Sequence, residues 1–222
     1  MSENNLILKS NDAKQKFMEL RRKVEELIEK TPFNKIDEVF AEEFSRIYTE
    51  ATLGDIVCQD YLGYIFKRGK EGLVPENIDL SMQWQILAAA NGNDLSIDRL
   101  AIFLNSAYDE IVDLPDFGDI KVYNNIDENN YTYIIGRLLC DAIIDILQIN
   151  ALNIIKEVPD TLLFNQKSMR VYENARQQAV PIVVKFLRSS FAQHDETPQP
   201  SKEQTTNEKK NLFAKLFKKN KN

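Results

Sequence analysis

Residues 51–104 read ATLGDIVCQDYLGYIFKRGKEGLVPENIDLSMQWQILAAANGNDLSIDRLAIFL, and an echo inside this stretch decides the fold. Ala51-Thr-Leu-Gly54-Asp55 returns as Ala89-Ala-Asn-Gly92-Asn93, and Leu62-Gly63-Tyr-Ile returns as Leu100-Ala101-Ile-Phe, each time after 38 residues. A fixed period of about 20–50 residues marks a supersecondary unit stacked on its own copy. The unit is helical. Ile56, Tyr61, Leu62, Ile65 and Phe66 predict a helix from Asp55 to Arg68, and Ile78, Leu80, Trp84, Leu87 and Ala88 another from about Asn77 to Ala90. The turn NGND then leads into a helix from about Leu95 to Tyr108. Small residues at Cys58, Gly63, Ser81, Ala88 and Ala89 let neighbouring helices approach, and Tyr61, Phe66 and Trp84 fill the space between them. Gly54 and Gly92 supply left-handed helix ends without steric strain.

Upstream, Phe17, Leu20, Val24, Leu27 and Ile28 predict a helix from a cap at Asn11 or Asp12 to about Lys30. Thr31-Pro32 restarts the chain, with Thr as cap and Pro at the first helical position. Ile36, Val39, Phe40, Phe44 and Ile47 then predict a helix that ends before Gly54 and folds back on the first as an antiparallel hairpin. Downstream, Pro115, Gly118 and the alternation DIKVY predict a loop over residues 109–130 with room for one extended piece. Helical pattern returns from Tyr131 to about Ile149 and from about Phe164 to Phe191. Pro181 is expected to kink or divide the last of these, because it removes a backbone donor. With seven Gly and seven Pro in 222 residues, the tight turns of an all-β fold are in short supply. The expectation is an all-α fold of antiparallel helix hairpins with extra C-terminal helices.

The stretch resembles a Sel-one-like repeat, a relative of the tetratricopeptide repeat. That family's pattern is a small residue before Gln, Leu-Gly, an aromatic, Gly, Val before a polar helix start, Trp, Ala-Ala and Gly. Here it reads Cys58-Gln59, Leu62-Gly63, Phe66, Gly69 and Gly72, Val74, Trp84, Ala88-Ala89 and Gly92, over about Ala51 to Leu104 or roughly a quarter of the chain. Cys58 and Ser81 replace the family's usual Ala, and both are small. After Tyr108 no second helix of a following repeat is evident, and Ile135-Gly136 only weakly echoes Leu62-Gly63. A solenoid needs about three repeats to bury its core, so flanking helices are expected to cap this one within a compact domain. The resemblance implies a protein-binding scaffold or adaptor that uses a concave helical surface. It also implies that Gly54, Leu62, Gly63, Gly69, Trp84, Ala88, Ala89 and Gly92 are structural. Contact residues are then expected at non-motif positions of each hairpin's first helix, such as Asp60, Lys67, Arg68, Arg99 and Asn105.

Little in the chain suggests catalysis. The single histidine, His194, falls in a stretch read as linker, which argues against a serine-type triad or a multi-histidine metal site. No glycine-rich phosphate loop occurs. Cys58 and Cys140 read as reduced core thiols of a cytoplasmic protein. Asp141 and Asp145, one helical turn apart, are the acidic pair best spaced to share a metal, but solvated helix faces carry such pairs constantly. Neither an enzyme nor a cofactor is expected. MSENNLILKSNDAKQ lacks the basic start, apolar core and cleavage site of a secretory leader, and no apolar run approaches the ~18 residues of a membrane span.

The formal net charge is −6, but Asn207–Asn222 holds six lysines against one glutamate, a local +5 that leaves about −11 on the rest. The acidic body argues against nucleic acid as a partner. Residues 1–11 read as a flexible start, 12–192 as the helical domain, 193–207 (QHDETPQPSKEQTTN) as a flexible linker and 208–222 as a basic amphipathic helix. In that helix Leu212, Phe213, Leu216 and Phe217 share one side, and Lys215, Lys218 and Lys219 lie on the other. This pattern suits the headgroup region of an anionic membrane; docking to a protein and a merely solvated tail are the alternatives. The whole reads as an adaptor held at the inner membrane face. The competing accounts are a soluble acidic inhibitor or immunity-type protein that covers a basic target and, second, an enzyme of an unfamiliar kind.

Overall fold

Asp55, Asn77 and Asn93 each hold extended backbone, and each turns its side-chain oxygen onto the amides of the turn that follows. Asp55 accepts from Val57 and Cys58 at 3.0 and 2.8 Å, Asn77 from Leu80 at 3.0 Å, and Asn93 from Ser96 at 3.2 Å. These bonds satisfy donors that a helix start leaves open. The computed structural model describes residues 3–70, 73–124, 131–156 and 169–192, and its regular elements are all helices. They are α1 (Glu3–Lys30), α2 (Ile36–Thr52), α3 (Ile56–Arg68), α4 (Ile78–Ala90), α5 (Asp94–Val112), α6 (Phe117–Tyr123), α7 (Tyr131–Leu147), α8 (Ala151–Lys156) and α9 (Met169–Ala192). Among the described residues, extended chain pairs only in an isolated bridge between Lys70 and Val74.

The two ends of the 38-residue interval are alike. Gly54 and Gly92 close α2 and α4 with φ of 100° and 94°. Leu62 and Leu100, on α3 and α5, are both fully enclosed. The second turn is also tied to the start of α3: Asn91 Nδ2 donates to Gln59 Oε1 at 3.1 Å and Asn93 Nδ2 to the Ile56 carbonyl at 3.0 Å.

Helix α4 lies at the centre. It packs on α3 most extensively and also on α5, α7 and α8, so Leu80, Trp84, Ile86, Ala88 and Ala89 are enclosed from several sides. Buried residues fall on every side of α4, Asp79, Gln83 and Gln85 among them, as in a helix enclosed all round. Three of its polar side chains bond internally: Ser81 Oγ donates to the Gly63 carbonyl at 2.7 Å, Gln83 Nε2 donates to Asp79 at 3.1 Å, and Asp79 accepts the Tyr172 hydroxyl of α9. Helix α3 presses on α4 at Gly63, where a Cβ would lie 2.5 Å from Gln85 Cγ. Helix α7 fastens to the end of α4 through Arg137, whose Nε donates to the Ala90 carbonyl at 3.2 Å. Helix α9 then covers α7 and α5.

Several boundaries depart from the sequence reading. Helix α1 begins at Glu3, taking in residues expected to be flexible. Thr31 finishes α1 by donating its hydroxyl to the Leu27 carbonyl at 2.6 Å instead of capping α2, which starts at Ile36 after a 3-10 turn over Phe33–Lys35. DIKVY lies in α6, because Phe117 and Ile120, three apart, are both buried and α6 packs on α9. The expected helix to Ile149 stops at Leu147, where Gln148 takes φ 54° and α8 follows. Helix α9 runs through Pro181 undivided; Pro181 and Gln177, whose carbonyl loses its partner, are both exposed, so water can fill that role. The linker at 193–207 and the lysine-rich segment lie outside the described residues.

Candidate interaction surface

On α3, Tyr64 and Arg68 are one turn apart and share a face, and the Arg68 guanidinium lies 5.2 Å from the Tyr64 ring centre. Arg21 of α1 and Arg99 of α5 approach the same ring, each at 5.5 Å. Three guanidiniums therefore meet at one aromatic side chain, within the ~6 Å over which a ring quadrupole attracts a cation. Phe17 of α1 completes the group, edge-on to Tyr64 at 5.3 Å and beneath Arg99 at 4.2 Å.

Two of the three arginines have carboxylate partners. Arg21 Nε donates to Glu25 at 2.8 Å, which holds its guanidinium above the usual arginine range. Arg99 pairs with Asp60, which is fully buried and also accepts the Ser96 hydroxyl at 2.7 Å. Burial pushes the Asp60 carboxyl up from the ordinary aspartate value, and Arg99 and Ser96 hold part of that rise back. Among the described residues no carboxylate lies within ion-pair distance of Arg68, Lys67 or Lys70. Beside Arg68 runs a cleft of about 100 Å³, floored by Val24, Ile28, Phe40 and Ile65 and edged by Arg21, Glu25, Tyr64, Arg68 and Lys70. A cavity for a small-molecule ligand or cofactor is typically about 300–1,000 Å³, so this one suits a single side chain.

Comparison with known proteins gives no match. No family model, curated protein or solved structure matches the chain.

Of the contact positions expected from sequence, Arg68 and Arg99 come together at Tyr64, and Lys67 is exposed. Asn105 is exposed and donates to Asp109 at 3.2 Å on its own helix. Asp60 is a correction: with 0% exposure it cannot meet a partner, and it serves Arg99 as a buried counter-ion. Arg21, Tyr64 and Phe17 were missed. Their helical spacing, Phe17 to Arg21 and Tyr64 to Arg68, was the available signal, but only tertiary packing brings α1, α3 and α5 to one place.

Leu62, Trp84, Ala88 and Ala89 are fully buried, and Gly63 is pressed against α4. Gly69 closes α3 with φ 66°, like Gly54 and Gly92 in the left-handed region. A Cβ on Gly92 would lie 3.2 Å from the Arg137 guanidinium carbon.

Asp141 is half-buried; burial raises its carboxyl first, and Asp145 adds to the rise. Among the described residues no group of three His, Cys, Asp or Glu is placed to hold a metal ion. Cys58 and Cys140 are buried free thiols, and burial pushes Cys58 up to about 12 and Cys140 higher still. Among the described residues no helix is long and apolar enough to cross a membrane. His194 and the candidate contact residues Leu212, Phe213, Lys215, Leu216, Phe217, Lys218 and Lys219 lie outside the described residues.

Proposed function

We propose that the chain is a non-enzymatic adaptor inside the cell, whose helical body holds a protein partner while its lysine-rich C-terminal segment attaches to the inner, anionic face of a membrane. The observation that carries this reading is the convergence of Arg21, Arg68 and Arg99 on Tyr64, with Arg68 and Arg99 at positions the repeat motif leaves open and Arg21 on α1, upstream of it. In this reading α3 and α4 form one Sel-one-like hairpin and α5 and α7 the next, with α6 inserted in the connection. The like turns at Gly54 and Gly92, the shared burial of Leu62 and Leu100, and the packing of α7 on both α4 and α5 support it. A second reading, a soluble acidic protein that covers a basic target, draws on the charge of about −11 outside Asn207–Asn222.

Flotation with anionic and with neutral vesicles separates the two. The intact chain is expected to float with anionic vesicles, less as salt rises, and a chain ending at Thr206 to stay behind. If both stay behind, the membrane attachment is wrong and the soluble reading stands. The intact chain as bait, beside its Arg68→Glu variant, then tests the body. A protein retained by the first and lost by the second supports an adaptor that works through Tyr64 and Arg68.

A further inference from the structure

We infer that the cleft beside Tyr64 receives an acidic segment of the partner protein, with a carboxylate at Arg68 and Lys70 and a neighbouring apolar side chain on the floor of Val24 and Ile65. This rests on the adaptor reading and gives the partner a chemistry. The first ground is charge. In a chain of net −6, the described residues lining this cleft include Arg21, Arg68 and Lys70 against Glu25 alone. Glu25 is engaged by Arg21, so the cationic excess of that lining rests on Arg68 and Lys70. A positive patch on a negative molecule selects and steers an acidic partner.

Preorganisation is the second ground. Arg68 is held over the Tyr64 ring, and a guanidinium fixed by stacking loses less freedom when its planar fork grips a carboxylate. The third is the lining. At about 100 Å³ the cleft takes one side chain, and its floor is apolar. Glu25 on its edge opposes a doubly charged group more than a single carboxylate, which favours Asp or Glu over phosphate. Together these describe a short peptide in which Asp or Glu stands beside a large apolar residue.

The test is panning of a random dodecapeptide library, displayed on phage, against the full chain. The expected winners carry Asp or Glu next to Leu, Phe, Ile or Met. The best of them, made synthetically and labelled with fluorescein, should bind at least tenfold more weakly to Arg68→Glu and progressively more weakly as salt rises. Tyr64→Phe, which keeps the ring, should bind like the parent, whereas Tyr64→Leu should lose several-fold. Unchanged thermal melting of each variant shows that folding is not the cause. Winners that are neutral or basic, or that bind Arg68→Glu equally well, overturn the proposal but leave an adaptor that works through another surface. No enrichment at all, together with no partner retained by the intact bait, overturns both.

Discussion

Gly63 and Gly54 are both expected from sequence to be structural, yet a methyl group added at each meets a different obstacle. At Gly63 it would lie 2.5 Å from Gln85 Cγ, 3.2 Å from the Gln85 amide and 3.3 Å from the Ser81 carbonyl. The side chain can swing away, but the backbone of α4 cannot, so Gly63→Ala should destabilise by about 1–3 kcal/mol through overpacking. At Gly54 nothing lies within 4 Å, and the obstacle is the φ of 100° itself. Gly54→Ala should cost about 1–2 kcal/mol in backbone strain. Asparagine tells the two apart in urea titrations: Gly54→Asn should recover part of the loss, because Asn tolerates left-handed backbone, while Gly63→Asn should be worse than Ala. At this scale the burial of Trp84 and Ala88 was legible, since apolar spacing alone puts them inside. That of Asp60 was not. Its counter-ion, Arg99, is 39 positions away, and nothing local to α3 announces that α1 and α5 close over that face.

Helices α1 and α2 are joined by charge as well as by packing. Glu43 of α2 accepts two bonds from Arg46, at 2.9 and 2.7 Å, and pairs with Lys23 of α1 at 3.5 Å. Arg46, and after it Lys23, hold the Glu43 carboxyl below its ordinary value of 4.5 despite partial burial. A depressed carboxylate stabilises the fold above the unfolded-state value, and that contribution disappears as pH falls through the lower, folded-state value. Urea midpoints should therefore decline as pH falls below about 4.5, and Glu43→Gln should decline less steeply over the same range. If the two acid limbs coincide, Glu43 is not a contributor. Elements also differ in how plainly sequence announces them. Helices α3 and α4 carry Asp55 and Asn77 as caps and dense apolar spacing, so their limits fall within a residue of the expectation. Helix α6 is seven residues long, and Pro115, Gly118 and its aspartates resemble a loop until α9 gives Phe117 and Ile120 something to pack on.

Across the molecule, the two thiols report whether the core opens. Cys58 lies on α3 and Cys140 on α7, both buried, and burial keeps both protonated. Only the thiolate reacts with a disulfide reagent, so at pH 8 both cysteines should stay silent towards Ellman's reagent in the native protein. Both should react promptly in denaturant. Fast reaction of either one under native conditions would mean that its helix detaches by itself. Helix α4 bears on the same question. A strictly linear stack joins each unit only to its neighbours, so end units can be lost without ruining the middle. Here α4 is touched by α8, more than sixty positions further along the chain, and reaches α9 through the bond between Asp79 and Tyr172. Cutting the chain after α5 or after α7 would leave the most enclosed helix with a bare side. A piece that keeps α4 covered therefore has to reach through α9, and deletions or insertions that spare the fold belong in the connections between helices.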